Sequence, residues 1–153
     1  MASVTIDDSV QAAWERLTAD NLETTWIMLK YPEKSVVAFD KEGSGGFPEF
    51  VENLPSDAVA YGAFLVMGVD DRGNTVSRRP KFIFVKWMPD TVPTMQRARA
   101  GGHKGAVKEV LKAHIDFDCE TADDLTEDGI ILKLRQSGGA HAPTGYEFSN
   151  YTK

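Results

Sequence analysis

A chain of 153 residues with 42% hydrophobic and 26% charged side chains has the length of one domain and the composition of a folded protein with a sizeable core. A formal charge of −6 argues against a general nucleic-acid binder, and a single cysteine excludes an internal disulfide or a cysteine-rich zinc site. No apolar run approaches the roughly 18 residues needed to span a bilayer, so an integral membrane protein is not expected.

The opening M-A-S-V-T-I-D-D is mixed and acidic and resembles neither a signal nor a transit peptide, which makes a cytoplasmic location the expectation. Residues 1–6 are expected to form a flexible arm ahead of a single domain over 7–140. Ser3 in that arm is a candidate phosphosite, where a phosphate would add a charge of roughly −1.5 to −2. Residues 7–19 have the pattern of a helix. Asp7, Asp8 or Ser9 can cap it, and Val10, Ala13, Trp14 and Leu17 form one apolar stripe.

Residues 24–31 and 35–39 are rich in β-formers and predict two strands joined by a turn at Pro32-Glu33-Lys34. The glycines of 41–46 suggest a loop, and 47–54 a short helix closed by Pro55. A third strand is predicted over 58–69, followed by a hairpin turn at 70–74. The run Lys81-Phe-Ile-Phe-Val-Lys-Trp87 predicts a central strand buried on both faces.

A long helix is expected over 91–113, capped by Asp90 or Thr91, with Pro93 in its first turn. Gly101-Gly102 would interrupt it, since two glycines cost about 2 kcal/mol relative to alanine inside a helix. Ala106, Val107, Val110 and Leu111 are its expected buried face. Residues 114–119 alternate as a half-buried strand, Thr121 would cap a last helix with Leu125, Ile130, Ile131 and Leu134 facing inward, and Gly138-Gly139 would end it. Residues 141–153 are left as a polar tail. The order is α-β-β-α-β-β-α-β-α, an α/β (α+β) arrangement with a mixed sheet and helices on both faces.

The overall charge hides an asymmetry. Residues 78–112 carry nine lysines and arginines against Asp90 and Glu109, a local +7 that leaves −13 for the remainder. Such segregation marks a surface that steers toward an acidic partner. Catalytic chemistry does not emerge. His103, His114 and His141 have no partner at metal-ligand spacing, so neither metal nor cofactor is expected. Acidic neighbours on both sides suit Cys119 to a buried structural role rather than to nucleophilic chemistry. The glycine clusters match no phosphate loop, and the acidic pairs fit caps and turns. Aromatics are not interleaved with the cations, which argues against nucleic acid as a partner.

The stretch K-F-I-F-V-K-W-M-P-D followed by P-T-M-Q-R-A-R resembles the core of the actin-depolymerising-factor homology (ADF-H) domain. The finer match is to the coactosin branch. It is carried by Met95-Gln96-Arg97-Ala98-Arg99-Ala100-Gly101, by Val107-Lys108-Glu109-Val110, and by Leu125, Glu127-Asp128 and Gly138-Gly139-Ala140. The resemblance implies a five- or six-stranded mixed sheet, a place in the actin cytoskeleton, no catalysis, and binding to actin filaments with interference in barbed-end capping.

It also implies site residues. Lys81 stands where coactosins carry a lysine important for filament binding. Arg97 matches the second of two actin-contacting lysines in the cofilin relatives, and Met95 replaces the first, which disfavours strong monomer binding. Arg78, Arg79, Arg99 and Lys104 extend the cationic face, Val92 or Met95 would be its apolar anchor, and Lys133 and Arg135 are candidates for contact with a second actin subunit. The start M-A-S-V resembles the cofilin branch, which keeps open a depolymerising or severing protein that also binds actin monomer. A scaffold using this fold for another partner, such as an anionic phosphoinositide lipid, is the third reading.

Overall fold

In the computed structural model, residues 3–138 and 143–152 are described. The chain runs β1 (Thr5–Ile6), α1 (Asp8–Thr18), β2 (Trp26–Glu33), β3 (Val36–Gly43), α2 (Gly46–Glu52), β4 (Ala60–Asp71), β5 (Val76–Trp87), α3 (Thr94–Val110), β6 (Ile115–Cys119), a 3₁₀ turn (Ala122–Asp124), α4 (Glu127–Ser137) and β7 (Gly145–Glu147). The strands form one mixed sheet in the order β1-β3-β2-β4-β5-β6, with β7 added to the outer half of β4.

β4 and β5 pair antiparallel at every position from Ala60↔Trp87 to Asp71↔Val76. Gly73 makes the reversal possible with a φ of 84°, and the Arg72 N–H closes the turn on the Thr75 carbonyl at 2.9 Å. β6 lies parallel to β5, which requires a crossover, and α3 supplies it. The apolar run of the central strand is buried on both faces as its composition predicts. Ile83, Phe84 and Val85 have no exposed surface.

Side-chain alternation then divides the interior into two layers. Ile83, Val85 and Trp87 join Trp26, Phe50, Phe64, Ile130 and Leu134 beneath α2 and α4. Phe84 joins Val10, Leu17, Ile27, Leu29, Val107 and Leu111 beneath α1 and α3. The cap of α1 is Asp7, whose carboxylate accepts from the Ser9 N–H at 3.0 Å.

Several expectations are corrected. Residues 1–6 are not wholly an arm. Thr5 and Ile6 pair with Val36 and Val37, and the Thr5 and Asp7 N–H groups reach the Ser35 and Val37 carbonyls at 2.8 and 2.9 Å, because β3 would otherwise be an open edge. Ser3 stays exposed ahead of them. β3 also runs through the expected loop to Gly43, paired with Trp26 of β2.

The long helix does not break at Gly101-Gly102, and neither Asp90 nor Thr91 caps it. Pro93 takes the cap position without a side-chain hydrogen bond, and the Thr91 hydroxyl donates instead to the Ser56 carbonyl at 2.9 Å. Of the expected buried face, Val107 and Leu111 are fully buried, while Ala106 and Val110 are half-buried. Thr121 caps only the 3₁₀ turn, in a capping box with Asp124. α4 begins beneath Thr126, which accepts from the Gly129 N–H at 3.1 Å. Gly138 caps α4, whereas Gly139, Ala140 and His141 lie outside the described residues.

The last segment is more than a polar tail. β7 pairs Gly145, Tyr146 and Glu147 with Val69, Gly68 and Met67. Phe148 is buried against Phe47, with ring centroids 5.5 Å apart, and its carbonyl accepts from the Phe47 N–H at 2.8 Å. Gly46 allows that approach. Its φ is 74°, and a side chain there would collide with the Phe148 carbonyl. The Tyr151 hydroxyl donates to the Leu65 carbonyl at 2.6 Å.

Phe148→Ala is therefore expected to destabilise the domain by about 3 kcal/mol, as a buried aromatic does. A urea midpoint unchanged from the parent would show that this segment only decorates the sheet.

Candidate binding face

The basic stretch folds into two parts, and its neighbour in sequence decides what each can do. β6, I-D-F-D-C, turns Ile115, Phe117 and Cys119 toward α4 and leaves Asp116 and Asp118 facing α3. Lys104 lies between these carboxylates, at 2.7 Å from Asp116 and 2.8 Å from Asp118. Lys108 joins Asp116 at 3.3 Å, and Lys86 from β5 approaches Asp118 at 3.9 Å.

Arg97 closes the ladder at the other end. It contacts Glu120 at 2.8 Å while donating to the Pro89 carbonyl at 3.0 Å and the Met88 carbonyl at 3.4 Å. The hydrogen bond from Lys104 holds the Asp116 carboxyl below its ordinary 3.8. Burial by itself would lower Lys104, but its bonds to Asp116 and Asp118 outweigh that and raise it.

Four of the nine cations in 78–112 are thus paired within the fold. Arg78, Arg79, Lys81, Arg99 and Lys112 have no ion-pair partner among the described residues. Arg79 and Lys81 share one face of the outer half of β5, and Arg78 is half-buried on the other. Lys81 is half-buried beside His114. The His114 imidazole accepts from the Phe82 N–H at 2.9 Å, and burial and then Lys81 hold it below its ordinary value.

Arg99 lies in the second turn of α3. It lines a cavity of about 570 Å³ with Lys30, Tyr31, Lys34 and Gln96, between the β2–β3 hairpin and the helix start. Met95 projects into solvent at 76% exposure. Val92, expected as an alternative apolar anchor, is only 3% exposed and belongs to the core, because the turn before α3 folds it inward.

The expected residues therefore form two groups rather than one continuous patch. Met95, Arg97 and Arg99 stand at the start of α3, near the end of β5. Arg78, Arg79 and Lys81 lie on the outer half of that strand, and Lys81 is roughly 20 Å along it from Trp87. Lys104 is a structural bridge. Lys133 and Arg135 occupy α4, where Lys133 lies 4.7 Å from the Phe117 ring centroid and donates to the Asp116 carbonyl at 2.5 Å. Arg135 covers Tyr146 at 5.4 Å.

Cys119 is buried, and its thiol is pushed up to about 12 by burial and then by Asp124 and Asp118, which suits an inert core residue. Sequence reasoning did not foresee that Asp116, Asp118 and Glu120 would cancel the helix cations. The signal was present in the alternation of D-F-D-C-E. Nor did it foresee that His103 would be completely buried against Tyr31.

Residues 3–135 match the family model described as "Cofilin/tropomyosin-type actin-binding protein". The chain is 34% identical to coactosin of Dictyostelium discoideum over 134 residues, which cover 86% of this chain and 88% of that protein. Among solved structures it is similar to coactosin from Entamoeba histolytica, with a TM-score of 0.76 at 26% identity over 92% of this chain and 100% of that one. It is also similar to mouse coactosin, described as an actin filament binding protein, with a TM-score of 0.70 at 25% identity over 92% of this chain and 95% of that one.

The ladder is testable without a partner. Lys104→Met and Asp116→Asn, made singly and together, are expected to show a coupling of about 1 kcal/mol in urea unfolding, smaller at high salt. The Asp116 contribution is complete above its ordinary value and is lost as pH falls through the lowered one, so the parent should lose more stability below about pH 4 than Asp116→Asn does. Additive single and double variants would mean the contacts are incidental.

Proposed function

The chain belongs to the cofilin/tropomyosin-type actin-binding family, within its coactosin branch, and from that premise we propose that it binds actin filaments without catalysing a reaction. The observation that carries this reading is the division of the cations into two classes. Those facing β6 are consumed inside the fold, whereas Arg78, Arg79, Lys81 and Arg99 are left unpaired among the described residues, with Met95 exposed one helical turn before Arg99.

An acidic partner surface would be oriented by the unpaired charges, and Met95 would supply apolar contact at the helix start. Arg97 takes part as a brace that fixes that helix start as well as a candidate contact. Met95 stands where a second cation would strengthen monomer binding, which favours filament over monomer. Lys133 and Arg135, with the exposed Leu132 just before them on α4, are the candidate contacts for a second subunit. Ser3, exposed two residues ahead of β1, is where a phosphate would add negative charge to the domain.

Co-sedimentation with actin filaments tests the reading. Lys81→Ala and Arg99→Ala are each expected to weaken pelleting about fivefold, the equivalent of about 1 kcal/mol, with unchanged urea midpoints. Lys104→Ala should instead move the urea midpoint more than the pelleted fraction. Soluble actin rising with added protein would replace this reading with a severing one. No pelleting at low salt, where charge contacts are strongest, would mean that actin is not the partner.

A further inference from the structure

The imidazole of His103 is completely buried, halfway along α3, and has one hydrogen-bonded nitrogen. The proton positions around it follow from donor arithmetic. The Tyr61 hydroxyl lies 2.8 Å from the Ala100 carbonyl, which can only accept, so Tyr61 donates there. The Tyr31 hydroxyl, 2.8 Å from Tyr61, must then donate to Tyr61. Having spent its only proton, the Tyr31 oxygen accepts from His103 Nδ1–H at 2.8 Å. The neutral ring therefore carries its proton on Nδ1. Nε2 is a bare lone pair, enclosed and without a partner among the described residues.

A proton added at Nε2 would find no acceptor and would place a charge in the core. The groups facing the ring are Tyr31 of β2, Tyr61 of β4, and Arg99 and the Ala100 carbonyl of α3 itself. α1, packed on the same layer, contributes the apolar Val10, Ala13 and Leu17. Among the described residues, none of His103's hydrogen-bond or ion-pair partners is a carboxylate. Burial and then Arg99 hold the imidazole below its ordinary value of 6.5.

The helix around this ring is intrinsically weak. The sequence there is A-G-G-H-K-G, each glycine disfavours a helix interior relative to alanine, and the cap position is a proline without a side-chain hydrogen bond. An added Cβ at Gly101 or Gly105 would meet nothing within 4 Å, so close packing requires neither glycine. The stretch stays helical although its local chemistry predicts a break, and the contacts holding it inward are those of Ala100 and His103.

We propose that His103 is the proton-sensitive pin of a hinge in α3: a proton at Nε2 expels the ring from its site and opens the helix at Gly101-Gly102, freeing the adjoining Arg99 from its fixed alignment. Arg97 keeps the first turn tied to Glu120 and the Met88-Pro89 carbonyls, so the opening is confined to the glycine stretch. The consequence for filament binding, weaker attachment in acid, rests on the proposed function; the hinge does not.

The test is amide hydrogen exchange over residues 98–106 between pH 4.5 and 7.5, corrected for intrinsic chemistry, on the full chain. Because opening takes up one proton, its equilibrium constant is expected to rise about tenfold per pH unit below the ordinary imidazole value. His103→Asn, whose side-chain amide can replace the Nδ1–H donor, should show a flat profile. The Gly101→Ala, Gly105→Ala double variant should keep the parent slope with less opening at every pH, and it decides the matter if His103→Asn does not fold.

A flat profile in the parent, the parent slope in His103→Asn, or unchanged protection in the alanine variant would each overturn the hinge. So would a ¹⁵N spectrum showing the neutral ring protonated on Nε2. Pelleting at pH 6 and 7.5 separates the two ideas. Loss in acid by the parent but not by His103→Asn supports the hinge's consequence, whereas no pelleting at either pH removes the filament reading and leaves the exchange result to stand or fall by itself.

Discussion

The antiparallel ladder between β4 and β5, unbroken over both full strands, is the constraint on which the other elements depend. The inner half of β4 takes β2, its outer half takes β7, and the free edge of β5 takes β6 in parallel. A slip of one residue would exchange Ile83 and Val85 with Phe84 and so exchange the two helix layers. With both faces of the central strand buried, such a slip would disrupt both cores at once. That is why α3 and the outer half of β5 can be presented at fixed positions.

Charge is arranged on this frame by tertiary pairing. A helix with four cations lies over a strand whose outward positions are acidic, and the ladder of Lys104, Lys108 and Arg97 on Asp116, Asp118 and Glu120 fastens one to the other. These contacts are partly solvated, so each is modest in energy, but together they set the rotation of α3 about its axis. They also remove cations from the binding surface. An acidic chain can still present a basic face, and that face is smaller than the local charge of the sequence suggests.

α3 is held from both sides by unlike means: carboxylates at its solvent edge, and a chain of hydroxyls and one imidazole beneath it. The buried chain runs in one direction only, from His103 through Tyr31 and Tyr61 to the Ala100 carbonyl. Networks of this kind add specificity where every member is satisfied, and among the described residues this one leaves His103 Nε2 unsatisfied. The glycines flanking His103 make the helix depend on that network rather than on its own propensity.

Periodicity in the sequence determined most element types and the two-sided burial of the central strand, because apolar spacing and turn chemistry are local properties. Local residues also carried the motif of the strand ending in Trp87-Met88-Pro89-Asp90 and the basic helix after it, and with it the family. What stayed illegible was whatever depends on contacts distant in sequence. The pairing of Thr5-Ile6 with β3, the docking of Phe148 and Tyr151, and the burial of Val92 are each decided by a surface made elsewhere. The helix continues through Gly101-Gly102 because the burial of His103 against Tyr31 opposes their poor propensity. Lys104 is a bridge, and among the described residues Arg99 has no ion-pair partner, because a parallel crossover sets β6 beneath one and not the other. The sequence determined which residues carry charge; the tertiary structure decided which of those charges are left for a partner, since pairing depends on distance in space and not along the chain.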